Sequence, residues 1–452
     1  MGTDRRTDGP DRGGGAAPGA AGAETPGGEP GDGRAAGPGE GRGRGDPPTR
    51  FALGLVFLTV VIDLVGFGIV LPLIPFYASE LGAGPTAVGA IIASYSAMQF
   101  LLAPAWGRLS DRVGRRPVLL VGLAGSGASY VLFGLAETVA VLLLSRVVAG
   151  AMGANVAVAQ AYVADTTSGG QRARGMGLIG AAFGLGFVAG PAMGGILSQW
   201  GYGVPGFAAA GLSLAAAAVA FFALPESLPE AARTAGVGDG GDSAGVLSAV
   251  RLRVSRLAGS LAAPELRDPI GAAFVGTLAF AAFTTTFPLL LQGPMGMTSV
   301  HAGWFFAYVG LLTAAVQGGL LGPVVDRLGE RRTALVGALV FAAGLGSLAW
   351  LDGTSGLLVA LGGVGLGWGY VNPSLQSLIS RRAGDDAQGG VLGVNQSAAS
   401  LARVVGPPAG GWVFGALGFR VEFLATAAVA AAAAAWILAM AGGPAEGGAA
   451  GG

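Results

Sequence analysis

Twelve apolar runs, most of them long enough to cross a lipid bilayer, divide this chain, and no other feature restricts its fold as severely. They fall at about 51-77, 86-107, 118-136, 139-164, 175-199, 204-224, 269-292, 302-322, 333-351, 355-379, 389-414 and 421-441. A hydrocarbon core roughly 30 Å thick takes about 20 helical residues to span. Within it every backbone amide must find its partner internally, which leaves the helix as the structure for such runs. The polar stretch from Pro225 to Asp268 separates six runs from six. The expected fold is therefore an all-α membrane protein of twelve transmembrane helices in two six-helix halves, 51-224 and 269-441. Composition agrees: 12% of the residues are charged, against about 25% in a soluble domain.

The flanks read differently. Residues 1-50 are rich in Gly, Pro, Ala and Arg and almost free of large apolar side chains, so they are expected to be a disordered segment. They contain no apolar core of the kind a cleaved secretory signal needs, and the first span is expected to be retained. The central loop 225-268 is polar, and a flexible Gly/Ala tail is expected over 442-452. With a net charge of zero nothing suggests nucleic acid, and the absence of cysteine removes disulfides and thiol chemistry.

Arginine distribution gives an orientation. The N-terminal segment and loops 2-3, 4-5, 6-7, 8-9 and 10-11 hold 23 of the 26 arginines, including Arg112, Arg172, Arg267, Arg331 and Arg382, while the opposite side holds Arg420. Short loops rich in Arg stay in the cytoplasm, so both termini are expected there, with the protein in the cytoplasmic membrane.

The chain also repeats itself. GRLSDRVGRRPVLLVGL from Gly107 returns, weakened, as GPVVDRLGERRTALVGA from Gly322, an offset of 215. GPAMGG at Gly190 returns as GPPAGG at Gly406, and Pro72 and Gln160 pair with Pro288 and Gln376, at an offset of 216. Several coincidences at nearly one offset imply that six spans were duplicated.

These motifs resemble those of the major facilitator superfamily. The loop GRLSDRVGRRP is similar to its signature between spans 2 and 3, Arg146 in SRVVAGAMGA resembles its span 4 arginine motif, and GAAFGLGFVAGPAMGG resembles the span 5 motif of proton-driven exporters, here Gly184, Gly186, Gly190, Pro191, Gly194 and Gly195. The run VADTTSGGQRARGMGLIGAAFGLGFVAGPAMGG is most similar to the tetracycline-exporter-like drug:proton antiporters. The resemblance implies a secondary transporter, not an enzyme, that works by alternating access and exports amphiphilic drugs or metabolites, with the proton gradient in place of any cofactor or metal. It further implies a conformational latch: Gly107, Asp111, Arg112, Gly114 and Arg115, with Arg115 pairing Asp165 at the end of span 4. Asp111 at the end of span 2 can face the free amides opening span 11, where an anion is favoured by roughly 0.3 to 1 kcal/mol.

Asp63, Arg146 and Arg403 are read as the ionisable residues inside the spans, where charge costs roughly 2.5 to 3.5 kcal/mol. Asp63, in span 1 ahead of Pro72 and Pro75, and Arg146 are expected to carry proton coupling by approaching each other in one state. Burial and a neighbouring guanidinium act in opposite senses on a carboxyl, so a change in their separation changes its hold on a proton. His301 is placed in an external loop, which removes a histidine relay. Substrate-cavity candidates are Tyr95, Gln99, Asn155, Gln160, Trp304, Phe305, Tyr308, Gln317, Asn372, Gln376, Asn395, Gln396 and Arg403, an amphiphilic set. Tetracycline exporters carry further acids in spans 3 and 9; here those positions fall on Ser129 and Phe341, which counts against tetracycline itself. The expected partners are a small amphiphilic substrate, protons and the lipid bilayer, with the protein acting as a monomer. An uptake carrier of the same fold is the alternative. A membrane enzyme or flippase lacks support, since the chain shows no metal-ligand cluster, no GxxxxGK[ST] and no Ser/His/Asp set.

Overall fold

The computed structural model describes residues 47–228, 255, 259, 264–350, 353–383 and 388–440. The leading segment 1–46, most of the expected central loop and the tail from 441 lie outside the described residues. All regular structure among them is helical: α1 Pro47–Val70, α2 Ile74–Glu80, α3 Pro85–Val113, α4 Arg115–Gly134, α5 Val139–Met152, α6 Asn155–Thr166, α7 Gly169–Leu197, α8 Gly203–Ala223, α9 Pro264–Gln292, α10 Ser299–Ala315, α11 Leu321–Ser347, α12 Gly353–Arg382, α13 Gln388–Leu417 and α14 Phe419–Ala439. Two expected spans are interrupted. Pro72 and Pro75 turn the first into α1, a 3-10 turn at Leu71–Leu73 and α2, because each proline lacks a donor. The fourth is broken at Gly153 and Ala154 into α5 and α6.

Ten helical stretches among the described residues are long and apolar enough to cross a membrane. Twelve were expected, and the difference has two sources. Ser299–Ser347 covers two expected spans in one hydrogen-bonded run, passing through a π turn at Val316–Leu320 and a kink at Gly329, where φ is +77°. The other is α13, 30 residues long, whose apolar residues are diluted by glycines, Pro407, Pro408 and Arg403. Large apolar side chains such as Phe222, 86% exposed, and Val359, 72% exposed, cover the outside, which suits lipid as the solvent.

Packing follows the sequence repeat. Gly186, Gly190 and Gly194 of α7 bring it against Leu64, Gly68 and Ile69 of α1, while Gly406 and Gly410 of α13 bring it against Leu278 and Ala282 of α9. Gly114 and Gly329, 215 apart, share positive φ. Arg116 donates to Phe221 O near the end of α8 at 2.5 Å, and Arg331 donates to Ile437 O near the end of α14 at 3.1 Å; the offsets are 331 − 116 = 215 and 437 − 221 = 216. Arginines at these points satisfy carbonyls that a helix C-terminus leaves free. Arg115 pairs with Asp165 at 2.9 Å, and at the same offsets Glu330 pairs with Arg381 at 2.8 Å, with the charges exchanged.

Contacts between the earlier helices, α1–α8, and the later ones, α9–α14, concentrate at the arginine-poor end. There Gly195 of α7 meets Gly303 of α10, Gly89 of α3 meets Pro407 and Pro408 of α13, and Gly411 of α13 meets Pro85. Ser198 and Ser299 hydroxyls join across the same end at 2.8 Å. Towards the arginine-rich end the same four helices separate: a Cβ added at Gly177 or Gly180 of α7, at Gly318 or Gly319 beyond α10, or at Gly390 or Gly393 of α13 would meet nothing within 4 Å. The molecule is closed at one face and open at the other.

Candidate functional site

The break in the fourth span shapes the site. With α5 ending at Met152, the carbonyls of Ala151 and Gly153 lose helical partners, and two side chains of α3 take them: Trp106 Nε1 donates to Ala151 O at 2.5 Å and Gln99 Nε2 to Gly153 O at 2.9 Å. Gly150 allows the backbones to close, since a Cβ there would strike Tyr95. Restarting at Asn155 aims that side chain at α1, where Asn155 Nδ2 donates to Asp63 Oδ1 at 2.8 Å and Ser126 Oγ of α4 donates to the same oxygen at 3.3 Å.

Asp63 is thus held by two neutral donors, and no ion pair joins it to Arg146. Arg146 is 2% exposed. Its guanidinium lies over Phe133 at 5.1 Å and Tyr130 at 5.7 Å, its Nε donates to Ser145 Oγ at 3.3 Å, and its Nη2 is buried without a hydrogen-bond partner. The same Tyr130 ring has its hydroxyl end against Gly66, one turn beyond Asp63. In this arrangement Asn155, expected to line the cavity, is the nearer partner of the carboxylate.

Arg403 lies half-buried in α13, donating to Ser400 Oγ at 3.3 Å and pairing with no carboxylate among the described residues. Tyr95 is within electrostatic reach of Asp63, Arg146 and Arg403 together. It also starts a row of rings: Tyr95 to Phe67 at 5.2 Å, Phe67 to Phe187 at 6.3 Å and Phe187 to Phe183 at 6.5 Å. Three rings of this row, Phe67, Phe183 and Phe187, were not anticipated, because an apolar ring in an apolar span carries no sequence signal.

The other cavity candidates scatter. Phe305 is in an aromatic core with Phe287 at 6.0 Å, and Trp304 is 56% exposed on a face of α10 turned from Gly303 and Gly310, which pack on α7. Gln160, Gln317, Gln376 and Gln396 are exposed, and Gln376 donates to Asn372. Tyr308 reaches Gly362 of α12, and Asn395 is buried with its Oδ1 unpartnered. Ser129 donates to Ser126 O, and Phe341 stands 5.6 Å from Trp368, in the core. His301, expected in a loop, is in the first turn of α10, where it forms a capping box with Thr298. Besides Asp63, Arg146 and Arg403, a further ionisable residue lies inside an expected span: Glu422, in the first turn of α14, is fully buried.

At the arginine-rich end Arg115 holds three groups at once: Asp165 at 2.9 Å, Asp111 at 2.5 Å and Ser110 at 2.6 Å. Asp111 is 60% exposed, and its Oδ1 is paired with Arg115 in this open arrangement. Glu226, just beyond α8 in the expected central loop, accepts from the amides of Arg115 at 2.8 Å and Arg116 at 3.2 Å. It caps α4 as a distant carboxylate, an anion at a helix N-terminus. Among the described residues Gly107 has no neighbour that a Cβ would meet, while Gly114, with φ +108°, takes the turn. In α7, Gly186, Gly190 and Gly194 face α1 and Gly184 and Gly195 face α10, while Pro191 turns its ring towards Gly68 of α1 and its carbonyl towards Gly303 of α10.

Known proteins share this sequence and fold. The Major Facilitator Superfamily profile matches residues 56–407 and 320–450. The class E tetracycline resistance protein of Escherichia coli is 34% identical over 369 residues, 79% of this chain and 85% of that protein. Multidrug resistance protein 2 of Bacillus subtilis (strain 168) is 27% identical over 362 residues, 80% of this chain and 88% of that one. The crystal structure of the human organic anion transporter MFSD10 (TETRAN) superposes with a TM-score of 0.64 at 27% identity, covering 87% of this chain and all of that one.

Proposed function

The chain belongs to the major facilitator superfamily and is a membrane transporter rather than an enzyme, and from that premise we propose that it exports amphiphilic drugs or metabolites across the cell membrane in exchange for protons. Twelve crossings form two duplicated six-helix halves, with both termini in the cytoplasm. The pseudo-equivalent pairs Arg115–Asp165 and Glu330–Arg381 support the duplication, since they recur at the repeat offset. With the arginine-rich face in the cytoplasm, the open arrangement is the inward-facing one. The substrate enters along the row of rings and Arg403, and alternating access closes that end while opening the other.

One observation carries the proton coupling. Asp63 has neutral partners, while Arg146, whose guanidinium pairs with no acid among the described residues, packs on the Tyr130 ring, which also reaches Gly66 one turn from Asp63. Exchanging Asn155 for Arg146 as partner would change how tightly the carboxyl holds its proton, as a coupled cycle requires. The regulating contact is the latch. In the outward-facing state Asp111 leaves Arg115 for the amides opening α13, and Gly107 and Arg112 meet the facing half. The glycines and Pro191 of α7 keep the outer gate between α1 and α10 tight. The protein works as a monomer and needs no cofactor beyond the gradient.

The test is drug-dependent proton movement in proteoliposomes of defined sidedness. Asp63→Asn is expected to abolish it while the protein stays folded and binds drug. Normal exchange in that variant sinks the assignment, and net drug movement towards the arginine-rich side would make the protein an uptake carrier.

A further inference from the structure

We propose that Glu422 is a second proton-binding site, in the C-terminal helices, that exchanges with the arginine-poor face when α13 moves. The inference deepens the reading of the protein as proton-coupled and rests on it.

Glu422 is 0% exposed. Its Oε1 accepts from Thr426 Oγ1 at 2.8 Å, and its Oε2 is buried without a partner. An ionised carboxylate offers about four acceptor sites, and one hydroxyl donor leaves it short. The Thr286 hydroxyl of the facing α9 donates to Ala282 O at 3.0 Å, and Oε2 gains no hydrogen-bond partner from it. Burying the ionised form without partners would be costly.

The same carboxyl lines a cavity of about 110 Å³ between α9, α13 and α14, bounded by Leu278, Ala282, Gly406, Val413 and Val429. Apart from Glu422 and Thr426 its lining is apolar, so in this arrangement it offers water few partners, and no other ionisable side chain lines it. The charged groups of the packed helices lie elsewhere. Glu265, Arg267 and Asp268 of α9 and Asp326, Arg327, Glu330, Arg331 and Arg332 of α11 are at the arginine-rich end. Arg403 of α13 donates to Ser400, and Arg420 lies over Trp350 and Phe419 at 5.8 and 5.7 Å.

What couples this acid to the cycle is the position of α13. One side of its Gly406–Gly411 segment forms the cavity wall, and the other side, through Pro407, Pro408 and Gly411, is in close contact with Pro85 and Gly89 of α3. Opening the arginine-poor face must separate α3 from α13. That movement changes the cavity wall and lets water reach Glu422, to which the acid O–H gives its proton. An acid serving only the first turn of α14 would be favoured by the helix dipole, but it would gain nothing from complete burial beside an empty space.

The test uses the full-length protein in nanodiscs, without substrate, so that it is read apart from the Asp63 assay. Infrared difference spectra are expected to show a carboxylic-acid carbonyl band that Glu422→Gln removes and Glu422→Asp shifts. The chain has no cysteine, so Val113→Cys with Gly390→Cys can be cross-linked to hold the arginine-rich ends together. Locking should diminish the band and release about one proton per protein, and the Gln variant should release about one fewer. The proposal is overturned if the band survives in Glu422→Gln, or if both proteins release the same number. Should the Gln variant not fold, Thr426→Val must still shift the band; an unmoved band overturns the proposal equally.

Discussion

The helices α1–α8 and the helices α9–α14 are built from one pattern, yet they differ wherever a charge is buried. At the repeat offset of 216, Asp63 corresponds to Ala279, Arg146 to Gly362 and Glu422 to Gly206. The broken pair α5 and α6 corresponds to the continuous α12. By contrast, the arginines that satisfy the ends of α8 and α14 and the glycines that seat α7 and α13 recur in both. The shared features fix backbone approach and helix ends, which both sets need in order to pack. The buried charges have no packing purpose that the other set lacks, so their asymmetry marks chemistry.

That comparison can be broken most severely at Asp63. Asp63→Asn should remove coupling altogether, whereas Ala279→Ser, at the matching position of α9, should leave proton-coupled transport within about twofold, a change of about 0.4 kcal/mol. A comparable loss of coupling from both would mean that the two sets share the work.

The exchanged ion pairs offer a sharper test. Arg115 and Asp165 are mostly buried at 11% and 23% exposure, and breaking a buried pair costs about 3 to 5 kcal/mol. Arg115→Glu should lower thermal stability by an amount in that range. Adding Asp165→Arg should recover much of it, because the double variant reproduces the polarity of Glu330–Arg381. A double-mutant cycle with no positive coupling would show that the Asp111, Ser110 and backbone contacts of Arg115 dominate.

Next in size is the contrast between the closed and open ends of α7. A Cβ at Gly190 would lie 2.6 Å from Gly68 Cα and 2.8 Å from Val65 O, whereas one at Gly180 would meet nothing. Gly190→Ala should cost about 1 to 3 kcal/mol through overpacking. Gly180→Ala should be neutral in this arrangement, and slow transport only if α7 meets a neighbour there in another state. Unfolding midpoints and turnover of the two variants separate these effects.

The smallest expected effect is at Asp111, which is 60% exposed. Asp111→Asn should favour the open arrangement by about 1 kcal/mol, roughly fivefold in population. Spin-label pairs on the arginine-rich ends of α3 and α13 would read it as a shift towards the longer separation. An unmoved distance distribution with turnover lost would assign Asp111 a different task.

Residue order alone determined that this chain spans a membrane with a polar break in the middle, because hydrocarbon admits only helices with satisfied backbones and the length of each apolar run is visible directly. It determined the repeat, the family resemblance and the glycine-rich character of the seventh helix for the same local reason: these are patterns along one strand of sequence. Partner choice was another matter. Asp63 and Arg146 stand out as charges in apolar runs, but that Asn155 takes the carboxylate depends on a helix break at Gly153 whose freed carbonyls are met by Gln99 and Trp106 from a different helix. Glu226 is one acid in a polar stretch until folding brings it to the amides of Arg115 and Arg116, more than a hundred residues away. Glu422 sits at the end of an apolar run, where sequence suggests a solvated group, and only the packing of α9 and α13 over that end encloses it. A hydrogen bond or a cavity belongs to two or three helices at once, and its energy is decided by their approach rather than by any one of them.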